Sequence, residues 1–247
     1  VHLLIGRQKI TMENNNAKCR VVLIRHGQSV WNKEKRFCGW TNVDLSEKGI
    51  EEAHKAGQNL KKAGFTFDIA FTSVLKRANE TLKIVLDEMG SQATPIEYSW
   101  RLNERHYGAL QGLKHEDMAK QYSPEQVQLW RRSYNTRPPL LTRDDPRYDG
   151  NNPVYKDLSP EEVPLGESLE DTVKRVLPYW NEVIVPKVRE GKNVIVAASG
   201  NSLRALIKHI DKIGDDEIVG LEIMTGVPLV YELKEGTLEA IRHYYLQ

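Results

Sequence analysis

Cysteine is scarce in this chain. Cys19 and Cys38 are the two present among 247 residues. They cannot build a disulfide framework, and the expected home is a reduced, cytoplasmic compartment. Charge of one sign is missing as well: 35 Lys and Arg stand against 34 Asp and Glu, a net +1. No global field therefore draws the chain to nucleic acid or to an acidic membrane, and any affinity for anions must come from local clustering. Long apolar runs are absent too. Leu3 to Ile5 is far too short for a signal segment or a membrane span. Repeats and low-complexity tracts are also lacking. Residues 1–18 read as a leader, an expression remnant or a disordered arm, with Met12 a candidate start, and residues 19–247 as a single domain.

What is present is a series of short, unbroken apolar runs alternating with helical periodicity. Val21-Val22-Leu23-Ile24 and Val194-Ile195-Val196-Ala197-Ala198 suit strands buried on both faces. Asp68 to Thr72 and Leu229 to Leu233 are two further strands. Ser46 caps an expected helix with Ile50, Ala53, Gly57 and Leu60 on its inner stripe, ending at Gly64. Helices are also expected over Val74 to Met89, Glu125 to Tyr134, Leu169 to Ile184 and Ser202 to Ile210. Thr136 to Gly166 is rich in Pro, Asp, Asn and Gly and too long for an ordinary connection, so it reads as a functional cover or a surface excursion. The alternation predicts an α/β fold, a three-layer sandwich with a mostly parallel central sheet flanked by helices. Such sheets bind ligands at the carboxyl ends of their strands.

Three apolar runs lead into polar clusters that parallel strands would bring to one edge. These are Arg25-His26-Gly27-Gln28-Ser29, then Thr72-Ser73 with Arg77, then Ser199-Gly200-Asn201-Ser202. Guanidinium forks and a helix N-terminus suit phosphate oxygens. An imidazole among them can act as a nucleophile when neutral, and neighbouring arginines favour that neutral form. Arg-His-Gly alone is a common tripeptide. Arg101-Leu102-Asn103-Glu104-Arg105-His106-Tyr107-Gly108, which packs an acid among cations and an aromatic, is far more unusual.

The run Leu23-Ile-Arg-His-Gly-Gln-Ser-Val-Trp-Asn32 resembles the phosphohistidine signature of the cofactor-dependent phosphoglycerate mutase family, within the histidine phosphatase superfamily. Thr72 to Arg77, Trp100 to Gly108, Trp130-Arg131-Arg132-Ser-Tyr134 and Thr225 to Pro228 are similar to that family's other blocks, in order, from about Arg20 to Tyr245. The resemblance implies interconversion of 3-phosphoglycerate and 2-phosphoglycerate in glycolysis and gluconeogenesis. His26 would carry the phosphoryl group, primed by 2,3-bisphosphoglycerate, with no metal. Arg25, Asn32 and Arg77 would hold its oxygens, and Glu104 would move the substrate proton. Tyr107, Arg131 and Arg132 would bind the carboxylate and distal phosphate. Cys38, Gly39, Gly200 and Asn201 would line the pocket. The partners implied are small phosphoglycerates and further copies of the chain in a homodimer or homotetramer, with neither nucleic acid nor membrane.

Three positions depart from the family pattern. Ser199 stands where the family has a second histidine that donates to the phosphoryl oxygens, which implies an intact pocket with impaired turnover. His115 stands where a lysine is usual, with Lys114 beside it as a possible substitute. Gln28 stands where Glu is frequent. Within the same fold, a bisphosphoglycerate mutase or a phosphatase is an alternative, and Ser199 also leaves open a weakly active phosphate-ligand binding protein. Gly39 argues for the mutase on the expectation that a larger residue would crowd the pocket.

Overall fold

The computed structural model describes residues 18–247. Of the expected leader, Lys18 opens the first strand; residues 1–17, Met12 among them, lie outside the described residues. The strands are β1 (Lys18–Arg25), β2 (Ile69–Thr72), β3 (Ile96–Tyr98), β4 (Val194–Ala198), β5 (Leu229–Lys234) and β6 (Ala240–Tyr245). They form one sheet in the order β3-β2-β4-β1-β5-β6. β1, β2, β3 and β4 run parallel, whereas at one side β5 pairs antiparallel with β1 and β6 antiparallel with β5. The principal helices are α1 (Val30–Lys33), α2 (Glu47–Lys62), α3 (Lys76–Met89), α4 (His115–Gln121), α5 (Pro124–Arg132), α6 (Leu169–Tyr179), α7 (Val185–Arg189) and α8 (Gly200–Ile210).

The two-residue period of the strands builds the layers. Val22, Ile24, Ala70, Ile195 and Ala197 face Ala56 and Leu60 of α2 and Leu82, Val85 and Leu86 of α3. Val21, Leu23, Phe71, Val194 and Val196 face Val176 of α6, Val188 of α7 and Leu203 and Leu206 of α8. Strands covered on both sides have no room for polar alternation, which is why these runs are unbroken. The expected long helix from Leu169 to Ile184 is one continuous path with a π-helical stretch at Trp180–Ile184, after which α7 continues. Three elements lack an apolar signal in the sequence: β3, whose residues are half or fully exposed, α4, and the edge strand β6.

Register sets the working edge. Arg25 lies opposite Ala198, and Thr72 opposite Ala197, so β1, β2 and β4 end together. The loop after β1 is pinned to α2 by close backbone contact. A Cβ on Gly27 would meet the Gly49 carbonyl oxygen at 2.2 Å, and one on Gly49 would meet that of Gln28 at 2.1 Å. Ser46, the α2 cap, donates to the Gln28 carbonyl at 3.1 Å, and the Gln28 N–H donates to Glu52 Oε2 at 2.8 Å.

This contact predicts that Gly49→Ala lowers stability by about 1–3 kcal/mol through forced backbone displacement. Gly220→Ala, where an added Cβ meets nothing within 4 Å, should change it by less than about 0.5 kcal/mol. Urea unfolding of the two variants compares them directly; equal stabilities would refute the packing argument.

Candidate active site

His26 follows directly from β1, with its backbone N–H donating to the Ala198 carbonyl at 3.0 Å. The ring is 2% exposed. Nδ1 lies 2.7 Å from the Gly27 carbonyl oxygen, and Nε2 lies 3.1 Å from Nε of Arg77. A carbonyl can only accept and a guanidinium N–H can only donate. The proton is therefore on Nδ1, and Nε2 carries the lone pair. Burial, then the Arg77 and Arg25 charges, hold the imidazole well below its ordinary pKa of 6.5.

Arg77, on the first turn of α3, is fully buried. Beyond His26, it donates to the carbonyls of Gly39 at 2.7 Å and Thr41 at 2.9 Å. Arg25 donates to the Ile223 carbonyl at 2.8 Å, and its buried Nε has no partner among the described residues. That nitrogen lies beside the α8 N-terminus, where a Cβ on Gly200 would meet it at 3.3 Å. Glu104 Oε1 accepts the backbone N–H groups of Arg105 at 2.7 Å and Asn201 at 3.1 Å.

Arg25 and Glu104 border a cavity of about 110 Å³. Of the predicted residues, Arg25, Asn32, Cys38, Glu104, Tyr107, His115, Arg131, Arg132, Gly200 and Asn201 line it. His26 and Arg77 are buried and are not among its lining residues. Glu104 is the only carboxylate in the wall among the described residues. The cations there raise one another's energy. Burial, with Arg132 next, lowers Arg204 to about 10, and burial also lowers Arg131. His115, packed edge-on against Phe37 at 4.4 Å, is lowered to about 4 by burial and then by Arg131, Arg132 and Lys35. An anion relieves this repulsion, so the wall is built for anionic ligands.

Several expectations need correction. Lys114 is exposed and contributes nothing to the wall, because its backbone pairs with Arg36 and places His115 inward instead. Gly39 does not border the cavity. Its φ is +55°, and an added Cβ would meet Gln111 Oε1 at 1.9 Å, so it cannot report on pocket crowding. Its carbonyl holds Arg77. Ser199 caps α8 and is wholly buried, with its Oγ unpartnered. Gln28 Oε1 accepts from Ser46 Oγ at 3.0 Å, away from the lining. The 136–166 excursion adds no residue to the wall either. It braces the 100–112 loop, through Asp149 on His106 at 2.9 Å and Tyr155 on Asn103 at 2.9 Å, and Tyr155 and Val163 pack on Trp40.

Sequence reasoning missed Arg204 and Arg36, which also line the cavity. Arg204 was findable: it lies three residues after Asn201 on α8, on the same helical face, and donates to Asn201 Oδ1 at 2.8 Å. Arg36 reaches the wall only because the loop after α1 folds back, with its NH1 on the Gly112 carbonyl at 2.8 Å.

The model of the histidine phosphatase superfamily (branch 1) matches residues 21–244. The chain belongs to that superfamily. Among solved structures, a mycobacterial glucosyl-3-phosphoglycerate phosphatase is similar at 22% identity and TM-score 0.67, over 93% of this chain and 97% of that one. A phosphoglycerate mutase from Bacillus anthracis is similar at 22% identity and TM-score 0.63, over 92% and 93%. These likenesses share the superfamily fold and do not separate mutase from phosphatase. No helix among the described residues is long and apolar enough to cross a membrane.

The depressed histidines predict the acid side of the stability curve. Below about pH 6.5 the unfolded chain binds protons that folded His115 refuses until about 4, so stability falls as pH drops through that window. His115→Asn should flatten the fall, read as the difference in urea unfolding free energy between about pH 7.5 and about pH 5. An unchanged difference would count against a buried neutral His115.

Proposed function

We propose that this chain is a phosphohistidine phosphotransferase of the phosphoglycerate mutase kind, interconverting 3-phosphoglycerate and 2-phosphoglycerate, with turnover slowed by Ser199. The observation that carries the reading is the state of His26: neutral, protonated on Nδ1, and offering the Nε2 lone pair beside Arg77 and a cationic wall. In this reading Nε2 attacks phosphorus. The N–P bond forms as the bond from phosphorus to the ester oxygen breaks, and the Glu104 carboxyl gives that oxygen its proton. The Nε–H of Arg77 leaves the imidazole for a phosphoryl oxygen, and Arg25 and Asn32 take the others. Nδ1–H keeps donating to the Gly27 carbonyl, which eases the positive charge that develops on the ring. Phosphorylated His26 would then give its phosphoryl group to the free hydroxyl of 3-phosphoglycerate by the reverse of these steps, with the Glu104 carboxylate taking the proton, and Nε2 would take back the phosphoryl group from the 3-position.

Arg131, Arg132 and Tyr107 suit the substrate carboxylate and distal phosphate. These residues and Arg25 fit 2,3-bisphosphoglycerate, since the buried Arg25 Nε–H has no acceptor among the described residues and the wall is cationic. When bound, that group supplies the priming phosphoryl. Guanidiniums provide the countercharge in this reading.

Incubation with 2,3-bisphosphoglycerate should add one acid-labile phosphoryl group to the intact mass, and His26→Asn should abolish the gain. Ser199→His should raise mutase kcat by about 10²–10³-fold by restoring a charged donor. Release of free phosphate without 2-phosphoglycerate would move the reading to a phosphatase. Tight binding with no transfer would move it to a binding protein.

A further inference from the structure

Arg175 and Glu167 form a buried pair outside the cavity wall, with side chains 8% and 6% exposed. The pair is bidentate: Nε reaches Oε1 at 2.6 Å and NH2 reaches Oε2 at 2.8 Å. The remaining Arg175 donors go to main-chain carbonyls of a single loop. NH1 bonds Arg101 at 2.8 Å and Asn103 at 3.0 Å, and NH2 bonds Glu104 at 2.8 Å. Glu167 completes the grip by accepting the backbone N–H of His106 at 2.8 Å, while its own N–H donates to the His106 carbonyl at 2.8 Å. The backbone on both sides of Glu104 is thus held by one ion pair.

A second connection joins this grip to the nucleophile. Trp40 Nε1 donates to the Glu104 carbonyl at 2.7 Å, and the Arg175 guanidinium lies 5.6 Å over the Trp40 ring. The residues flanking Trp40, Gly39 and Thr41, give the carbonyls that hold Arg77, whose Nε is on His26. Trp40 therefore ties the Glu104 backbone to the 39–41 loop, and Arg175 reaches the Glu104 carboxyl through the backbone it fixes. Replacing such a pair by hydrophobic residues of similar volume is often neutral or stabilising, so stability alone does not account for it.

We infer that Arg175 and Glu167 are positioning residues that set the Glu104 carboxyl against the phosphoryl-bearing face of His26, and so control proton delivery to the leaving oxygen. The inference rests on the phosphotransfer reading of Glu104. It makes a prediction about the leaving group, which a general loss of stability would not produce. An alkyl phosphate such as 3-phosphoglycerate or 2,3-bisphosphoglycerate needs a proton as its oxygen departs. The 2,4-dinitrophenolate of dinitrophenyl phosphate departs without one.

The experiment compares the unsubstituted protein with Glu167→Gln, which keeps the side-chain shape, and Arg175→Lys, which keeps charge but loses the fork. Phosphorylation of His26 is followed in single turnover with each donor, and inorganic phosphate affinity is measured by calorimetry. Phosphate binding depends on Arg25, Arg77, Arg131 and Arg132, none of which bonds either partner of the pair. The expected result is a loss of about 10²-fold with 2,3-bisphosphoglycerate, against less than about threefold with dinitrophenyl phosphate and in phosphate affinity. Equal losses with both donors, no loss with either, or loss of phosphate binding in both variants would overturn the positioning role. If the unsubstituted protein takes phosphate from neither donor, the phosphotransfer reading fails and the role falls with it.

Discussion

Main-chain carbonyls that hold buried guanidiniums are the interaction on which this site depends. Arg77 rests on Gly39 and Thr41, Arg204 on Arg132 and Ile218, and the half-buried Arg25 on Ile223. A buried guanidinium left without acceptors would cost several kcal/mol. A carboxylate partner would remove that cost but also cancel the charge. A carbonyl satisfies the N–H groups and leaves the positive charge in place. The wall therefore stays cationic in a chain whose net charge is only +1. Each such bond also ties a loop to its neighbour, so the field and the shape of the cavity are produced by the same contacts.

The sheet supplies what those loops lack. β1, β2 and β4 are packed on both faces and end in register, which fixes His26, Ser73 and Ser199 at one edge. The loops that complete the site come from elsewhere in the chain and are braced from the far side by the 136–166 excursion. His106 on Asp149 and Asn103 on Tyr155 hold the stretch that carries Glu104. The surface ion pairs on helices, such as Lys120 with Glu116 and Lys174 with Glu170, are solvated i,i+4 contacts that add little by comparison.

Superfamily membership and the reading as a mutase rest on different grounds. The fold is shared with a phosphatase and with a mutase at equal sequence identity. An imidazole nucleophile and a cationic wall serve both chemistries, which differ in whether water or a sugar-acid hydroxyl takes the phosphoryl group. The local features of this chain at the site are Ser199, buried at the end of β4, and His115 in the wall.

The layered α/β plan was legible in the sequence because burial on both faces leaves unbroken apolar runs, and helices leave a 3.6-residue stripe. His26, Arg25, Arg77 and Glu104 were legible because each follows such a run or stands in an unusual cluster of charge and aromatics. β3, α4 and β6 were not, since edge and surface elements bury too little to leave a pattern. Only the tertiary structure decided that His115 and not Lys114 faces the cavity, that Gly39 serves Arg77 instead of the pocket, and that the excursion braces rather than covers. The physical reason is common to all three. Which way a loop side chain points is settled by hydrogen bonds to residues distant in sequence, and no local period records them.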